Sequence, residues 1–290
     1  MAGTLVAERT GTRAAAPAAR RDRPPLGLLA IAAATFGFIY APIAVLVAFS
    51  FGERRIPTWP LQGFTLSWYG ELVASEEIRT ALRNSIVVAT TATVGAMLLG
   101  TPIAYAAHRF RFPGKRLLRR LVLMPLVVPG VVTGIALLTL FDFFDVKLSL
   151  GTITVGHVTF LIAVFFTSVF ARLEALGTRI ERAAMDLGAT GLRAFTRAVL
   201  PNLRLTLIGA SLLAFALSFD EIAVTFFLTG TSNTVPVLIY SMTRLGITPT
   251  INALASSILM VSVALVAVGS IVLGRETGAG PPRLRPRTRR

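Results

Sequence analysis

The residues best placed to do chemistry in this sequence are Asp220 and Glu221, two adjacent carboxylates inside an apolar run from Leu205 to Leu228. A charged side chain at the centre of a bilayer-spanning helix costs on the order of 2.5–3.5 kcal/mol, so it is retained where a cation, a proton or a fixed partner meets it. If the run is one helix crossing a core about 30 Å thick, Asp220 lies about 23 Å along it from Leu205, in the outer third. Neighbouring residues on a helix point about 100° apart. Ser211, Ser218, Glu221 and Thr225 then share one stripe, and Glu221 is expected to face a polar lumen. Asp220 falls beside Leu213, Ala216, Leu217, Val224 and Phe227, and is expected against a neighbouring helix with a hydrogen-bond or cationic partner. Phe219, Phe226 and Tyr240 lie nearby in the chain. Carboxylates among aromatic faces suit the passage of an ammonium group, by charge pairing and cation–π contact. The pair has a second reading, in which it only stabilises a helix bundle or an outer gate.

Other chemistry is thin. The absence of cysteine excludes disulfides, thiolate metal sites and cysteine nucleophiles. His108 and His157 are isolated, with no acid cluster beside either, which argues against a metal site. No G-x-S-x-G or H-E-x-x-H constellation occurs. Gly95 and Gly100 have the glycine spacing of a phosphate-binding loop, but Thr101 and Pro102 come after them in place of the Lys-Ser/Thr pair. The chain is therefore expected to catalyse no covalent reaction and to hold no cofactor of its own.

The elements that must position the two acids can be read from composition. The chain has 290 residues, 54% hydrophobic and only 15% charged, against about 25% charged for an ordinary soluble domain. Six apolar runs are long enough to cross a bilayer as helices: 26–51, 84–107, 121–141, 153–171, 205–228 and 252–273. They are continuous rather than alternating, which excludes a β-barrel. Net charge is +15, a value that in a soluble protein would suggest nucleic acid. Sorted by loop, 23 of the 29 Lys and Arg fall in residues 1–25, 108–120, 172–204 and 274–290. Those segments belong on the cytoplasmic side. The expected fold is all-α and integral to the membrane, with six transmembrane helices and both termini cytoplasmic. The basic tails are 1–25 and 274–290, around a transmembrane domain of 26–273. The basic face is then attracted to anionic lipid, and the nucleic-acid reading loses its force.

Three segments are more than plain spans. Residues 52–83 carry Trp59, Trp68 and Tyr69, which read either as an interfacial belt on a short surface helix or as a contact surface for an external partner. Pro125, Pro129 and Gly130 interrupt the third run and are expected to bend it. The bend suits either a bundle-lining helix or a static kink. Residues 172–204 form the longest inner loop. Ala183, Ala184, Leu187 and Ala189 make a stripe, Gly188 and Gly191 break it, and Pro201 is expected to stop the second helical stretch. A helix–turn–helix on the cytoplasmic surface results, either as a docking feature or as a plain amphipathic surface helix.

The stretch Glu181-Arg182-Ala183-Ala184-Met185-Asp186-Leu187-Gly188-Ala189, with Leu200-Pro201 beyond it, resembles the EAA loop of binding-protein-dependent ABC importer permeases. Leu-Pro falls at the family's spacing from Gly188. Arg182 stands where the pattern has Glu, with Glu181 one step earlier, and Ala198 occupies the Ile position. The similarity continues through Leu217–Glu221, Phe227–Gly230, Pro236–Met242 and Ile247–Ala253, and is greatest to the second permease subunit of spermidine/putrescine importers.

The resemblance implies a transport subunit of a bacterial inner membrane that moves a polyamine. It implies a homologous permease as partner, two cytoplasmic ATPases carrying the ATP and magnesium, and an extracytoplasmic substrate-binding protein. Glu181, Arg182, Ala183, Ala184, Asp186, Gly188, Leu200 and Pro201 would form the ATPase-coupling loop, its small residues allowing close approach to a groove. Ser218, Phe219, Asp220, Glu221, Thr225 and Tyr240 would line the translocation path. The same machine with a ferric-iron or oxyanion cargo is an alternative, and a stand-alone channel or secondary transporter is another. Against an anion stand the acids in the apolar runs; against a channel stands the loop spacing.

Overall fold

The computed structural model describes residues 26–56, 58–244 and 246–277. The basic tails fall outside the described residues, apart from the helical backbone at 274–277. The described residues contain helices and a single isolated bridge between Gly52 and Phe64, with no β-strand among them.

The chain divides into two compact units, residues 1–45 and 46–290. Helix α1 (Leu26–Phe49) carries the first. It is apolar all round and none of its residues is buried. The second unit begins with α2 (Ser67–Ala74) and α3 (Glu76–Arg109). Ser75 caps α3 by accepting from the Ile78 N–H at 3.3 Å, and Glu76 and Glu77 in the first turn favour the positive end of the helix dipole. Next come α4 (Lys115–Leu123), a 3₁₀ turn (Met124–Leu126) and α5 (Gly130–Phe143). After them stand α6 (Leu150–Leu176), α7 (Arg179–Asp186), α8 (Gly191–Ala194) and α9 (Leu200–Phe219). The chain ends with α10 (Thr225–Leu228), α11 (Val235–Arg244) and α12 (Pro249–Thr277).

Four described helical segments are long and apolar enough to cross a membrane: α1, α3, α6 and Gly191–Phe219. The bent pair Lys115–Leu126 and Gly130–Phe143 makes a fifth if counted as one span. The first part of α12, Pro249–Ala264, is apolar but shorter. The bend of 104° in the third run falls where Pro125 and Pro129 withdraw two backbone donors.

The core of the second unit is the contact of α3, α6 and α9. Lipid tails are as apolar as side chains, so small residues that allow close packing hold such helices together. Ala92 and Ala96 of α3 meet Leu161, Val164 and Phe165 of α6 and Ala210 and Ala214 of α9. A Cβ at Gly100 would stand 2.8 Å from both Ile162 O and Phe165 Cβ, well inside contact distance. Gly100, which mimics a phosphate-loop glycine in sequence, is a point of helix crossing.

The structure corrects several expectations. The fifth run is not one helix from Leu205 to Leu228. Gly191–Phe219 is one helical stretch and ends at Phe219, and α10 begins only at Thr225. Pro201 does not stop a helix. The π-turn Phe195–Val199 widens the turn before it, which relieves the clash of the proline ring with the preceding turn, and the Asn202 side-chain amide donates to Ala198 O at 2.8 Å beside it. Trp68 does not face outward as a belt residue would. It is 6% exposed, packed with Leu72, Ile78, Val235 and Leu254, and its indole N–H donates to Gly52 O at 2.7 Å. Trp59, by contrast, is 79% exposed.

Candidate translocation and coupling sites

The break at residues 220–224 has no glycine or proline to cause it. Side-chain hydrogen bonds, both local and from α6, occupy it. The Glu221 carboxylate turns back on its own backbone, and Oε1 accepts from the Val224 N–H at 2.9 Å. Thr225 Oγ–H donates to the Glu221 carbonyl at 2.9 Å. His157 of α6 lies between the two ends of the break, with Nδ1 2.7 Å from Ser218 Oγ and Nε2 2.8 Å from Thr225 Oγ1. His157, Ser218 and Thr225 are all buried. Farther on, Thr152 Oγ1 stands 3.0 Å from Leu228 O, Asn84 Nδ2 donates to Asn233 O at 2.9 Å, and Ser85 Oγ accepts from Val235 N–H at 2.8 Å.

Three glycines let α5 and α6 close on this segment. A Cβ at Gly134 would lie 2.7 Å from Phe227 Cδ2, and one at Gly156 would lie 2.6 Å from Leu228 Cδ1. A Cβ at Gly130 would lie 3.0 Å from Ala223 Cβ and 3.5 Å from Glu221 Oε1. Glu221 therefore sits beside the start of α5, half-buried. Its second carboxylate oxygen carries no hydrogen bond among the described residues.

The expected path residues divide. Ser218, Glu221 and Thr225 come together, but through a broken backbone and His157 rather than along a helical stripe. Asp220 is exposed at the end of α9 and has no side-chain partner among the described residues, so no helix of this subunit packs on it. The reason is geometric: once the helix stops at Phe219, the 100° spacing no longer decides where residue 220 points. Phe219 stacks on Phe215, one turn earlier in α9. Tyr240 packs edge-on against Phe226 and already carries a cation: the Arg244 guanidinium lies 4.7 Å from its ring centre and donates to its hydroxyl at 2.7 Å. His157 is the residue of this site that sequence reasoning misses, because in the chain it stands isolated. Its signal is a titratable residue within an apolar run that two hydroxyl residues can reach.

The second cluster centres on α7. Arg182, Ala183, Asp186 and Gly188 are exposed or nearly so, and Ala184 is half-buried. Leu187 is 90% exposed, an apolar side chain projecting from the end of the helix. Gly188 has φ +88°, a left-handed conformation that favours glycine, and its N–H bonds Met185 O at 2.9 Å while Ala189 N–H reaches Ala184 O at 3.0 Å. Leu200 is half-buried and Pro201 exposed at the start of α9. Glu181 does not share the outward face. It is 4% exposed and accepts from Tyr105 O–H at 2.7 Å and Arg109 Nε–H at 2.9 Å, both on the end of α3. An open hollow of about 370 Å³ lies beside this node, lined by Tyr105, Phe110, Leu192 and Phe195. Glu181 ties α7 to the bundle, leaving Arg182 facing out about 100° round the helix. Among the described residues, no group of three metal-ligating side chains gathers.

Residues 96–275, well over half of the chain, match the family described as the binding-protein-dependent transport system inner membrane component. This chain belongs to that family. Inner membrane components of this kind are permease subunits of ABC importers. The putrescine transport system permease protein PotI of Escherichia coli K12 is 39% identical over 233 residues, which are 77% of this chain and 82% of that protein. The spermidine/putrescine transport system permease protein PotC of the same organism is 31% identical over 246 residues, 84% of this chain and 92% of that protein. A crystal structure of a bacterial alginate ABC transporter, in complex with an alginate pentasaccharide-bound periplasmic protein, shares the fold, with TM-score 0.64 at 15% identity, covering 88% of this chain and 93% of that one. These relatives are permease subunits of transport systems.

Proposed function

We propose that this permease subunit moves a polyamine, putrescine or spermidine, through an ATP-driven importer, and that Glu221 meets the ammonium groups on the way. The observation that carries the reading is the broken helix within an apolar stretch: non-helical backbone and a carboxylate together, where a continuous lipid-facing helix would bear neither. In a bilayer such backbone is tolerated where protein covers it or a water-filled cavity borders it. One oxygen of Glu221 holds the turn and the other is open to a cation. Relatives whose names specify putrescine and spermidine are 39% and 31% identical across most of the chain.

The importer reading brings the remaining parts. Six membrane helices with both termini cytoplasmic satisfy the distribution of Lys and Arg. The 172–204 loop then faces the cytoplasm, and the outward side of α7 (Arg182, Ala183, Asp186, Leu187 and Gly188) docks in a groove of an ATPase. A homologous permease completes the path, a second ATPase docks beneath it, and a periplasmic binding protein delivers the cargo. ATP and magnesium act on the ATPases. Closure of the ATPases moves α7 as a rigid body, and Glu181 passes that movement to α3 through Arg109 and Tyr105.

The test is reconstitution of the complete importer in proteoliposomes, with labelled putrescine outside. The reading expects uptake that needs ATP, both ATPases and the binding protein. Putrescine flux without an ATPase would mark a channel. ATP-driven uptake of another solute, with putrescine excluded, would overturn the cargo.

A further inference from the structure

Proton bookkeeping at His157 gives the hydrogen bonds a direction. The hydroxyl of Thr225 has one proton, and that proton goes to the Glu221 carbonyl oxygen. Thr225 Oγ1 must then accept from His157 Nε2–H at 2.8 Å. The ring is 1% exposed and has no carboxylate partner. A neutral imidazole protonated at Nε2 presents Nδ1 as an acceptor, and Ser218 O–H donates to it at 2.7 Å. The chain therefore runs one way: Ser218 to His157, His157 to Thr225, Thr225 to the backbone of Glu221.

We propose that His157 is a positioning residue of the translocation path, holding the 220–224 turn through Thr225 so that the free oxygen of Glu221 points at the passing cation. This rests on the reading of Glu221 as the cation contact. Three features of the site support it. His157 is the side chain of α6 that bonds both ends of the broken segment, before and after Glu221. The carboxylate cannot hold the turn alone and also keep both oxygens for cargo, because Oε1 is already bound to Val224 N–H. The glycines at 130, 134 and 156 press the segment from α5 and α6 but supply no polar contact that would fix its rotation.

The test uses the whole importer in proteoliposomes and reads putrescine taken up per ATP hydrolysed, for Glu221→Gln, His157→Leu, His157→Gln and Thr225→Val. A merely structural role lowers uptake and hydrolysis together and leaves the ratio alone. A positioning role lowers the ratio. Losing the His157–Thr225–Glu221 link should reduce it about tenfold in His157→Leu and in Thr225→Val, on the order of one buried hydrogen bond. His157→Gln, which keeps a donor near the Nε2 position, should restore most of it. Adding His157→Leu to Glu221→Gln should lower the ratio little further, because both act through one carboxylate. If Glu221→Gln lowers the ratio but His157→Leu and Thr225→Val do not, the positioning role is wrong while the cation path stands. Full additivity in the double variant likewise overturns it. An unchanged ratio in Glu221→Gln sinks the cation path and the positioning role with it. Where His157→Leu fails to assemble, Thr225→Val decides, since it removes only a hydroxyl.

Discussion

The Glu181 node makes the sharpest prediction about coupling. Glu181→Gln keeps the shape of the side chain and an acceptor for Tyr105, but removes the charge that holds Arg109. The Glu181 side chain is 5% exposed and that of Arg109 35%. A hydrogen bond to a charged group contributes about 1.5–3 kcal/mol. One partner is a third open to solvent, which screens the pair and takes the expected loss to about 2 kcal/mol. α7 has eight residues, too few to be stable as a helix alone, so its order depends on this anchor. A loss of about 2 kcal/mol raises the open population about thirtyfold. Amide hydrogen exchange of residues 179–187, measured in nanodiscs, should speed up by that factor, while α6 and α9 exchange as in the parent. Tyr105→Phe should have a smaller effect, since it removes one neutral donor. If exchange in α7 is unchanged in Glu181→Gln, the node does not anchor the helix, and transmission through α3 is refuted.

The geometry yields three further outcomes. Leu187→Asp changes a side chain that is 90% exposed, so it should alter the subunit's own stability by no more than about 0.5 kcal/mol while lowering ATPase co-purification; undiminished co-purification would remove α7 from the docking face. Gly188→Ala forces a side chain onto a φ of +88° and should destabilise the end of α7 by about 1–2 kcal/mol, read as faster exchange at residues 185–189; unchanged exchange there would reject the need for glycine. Gly156→Val places a Cβ 2.6 Å from Leu228 Cδ1 and 2.9 Å from Val224 Cγ1, and overpacking of about 1–3 kcal/mol should loosen residues 224–228 and reduce uptake. Gly209→Val, where a Cβ meets nothing within 4 Å, should leave uptake as it is, and equal effects at the two positions would refute the packing argument.

Much of the helix class was legible because apolar runs of bilayer length have few other uses. The bend after Leu126 was legible too, since Pro125 and Pro129 withdraw donors wherever they fall. The break after Phe219 was not. Ile222, Ala223 and Val224 continue the apolar run, and no local residue forbids a helix there. At the break one local contact, a carboxylate that turns onto Val224 N–H three residues on, meets one tertiary contact, a histidine 61 residues before Ser218 that binds both ends. For the same reason the stripe through Ser211, Ser218, Glu221 and Thr225 named residues of which three do converge, on a geometry that does not exist. At α7, spacing located the helix and the Gly188 turn. It could not tell that Glu181 turns inward, because that depends on where Tyr105 and Arg109 arrive from α3. Trp68 illustrates the same limit: its type suggested an interface, and its burial depends on α11 and α12, which lie far away in sequence.

Glu221 stands where a cationic cargo would meet it in an ATP-driven importer. The most direct test of that contact is the uptake of labelled putrescine by the reconstituted importer with Glu221→Gln, with ATP hydrolysis measured in the same vesicles. Hydrolysis stimulated by the loaded binding protein should persist while putrescine uptake per ATP falls about tenfold, as expected for one lost charge contact. Uptake per ATP equal to that of the parent would contradict the contact.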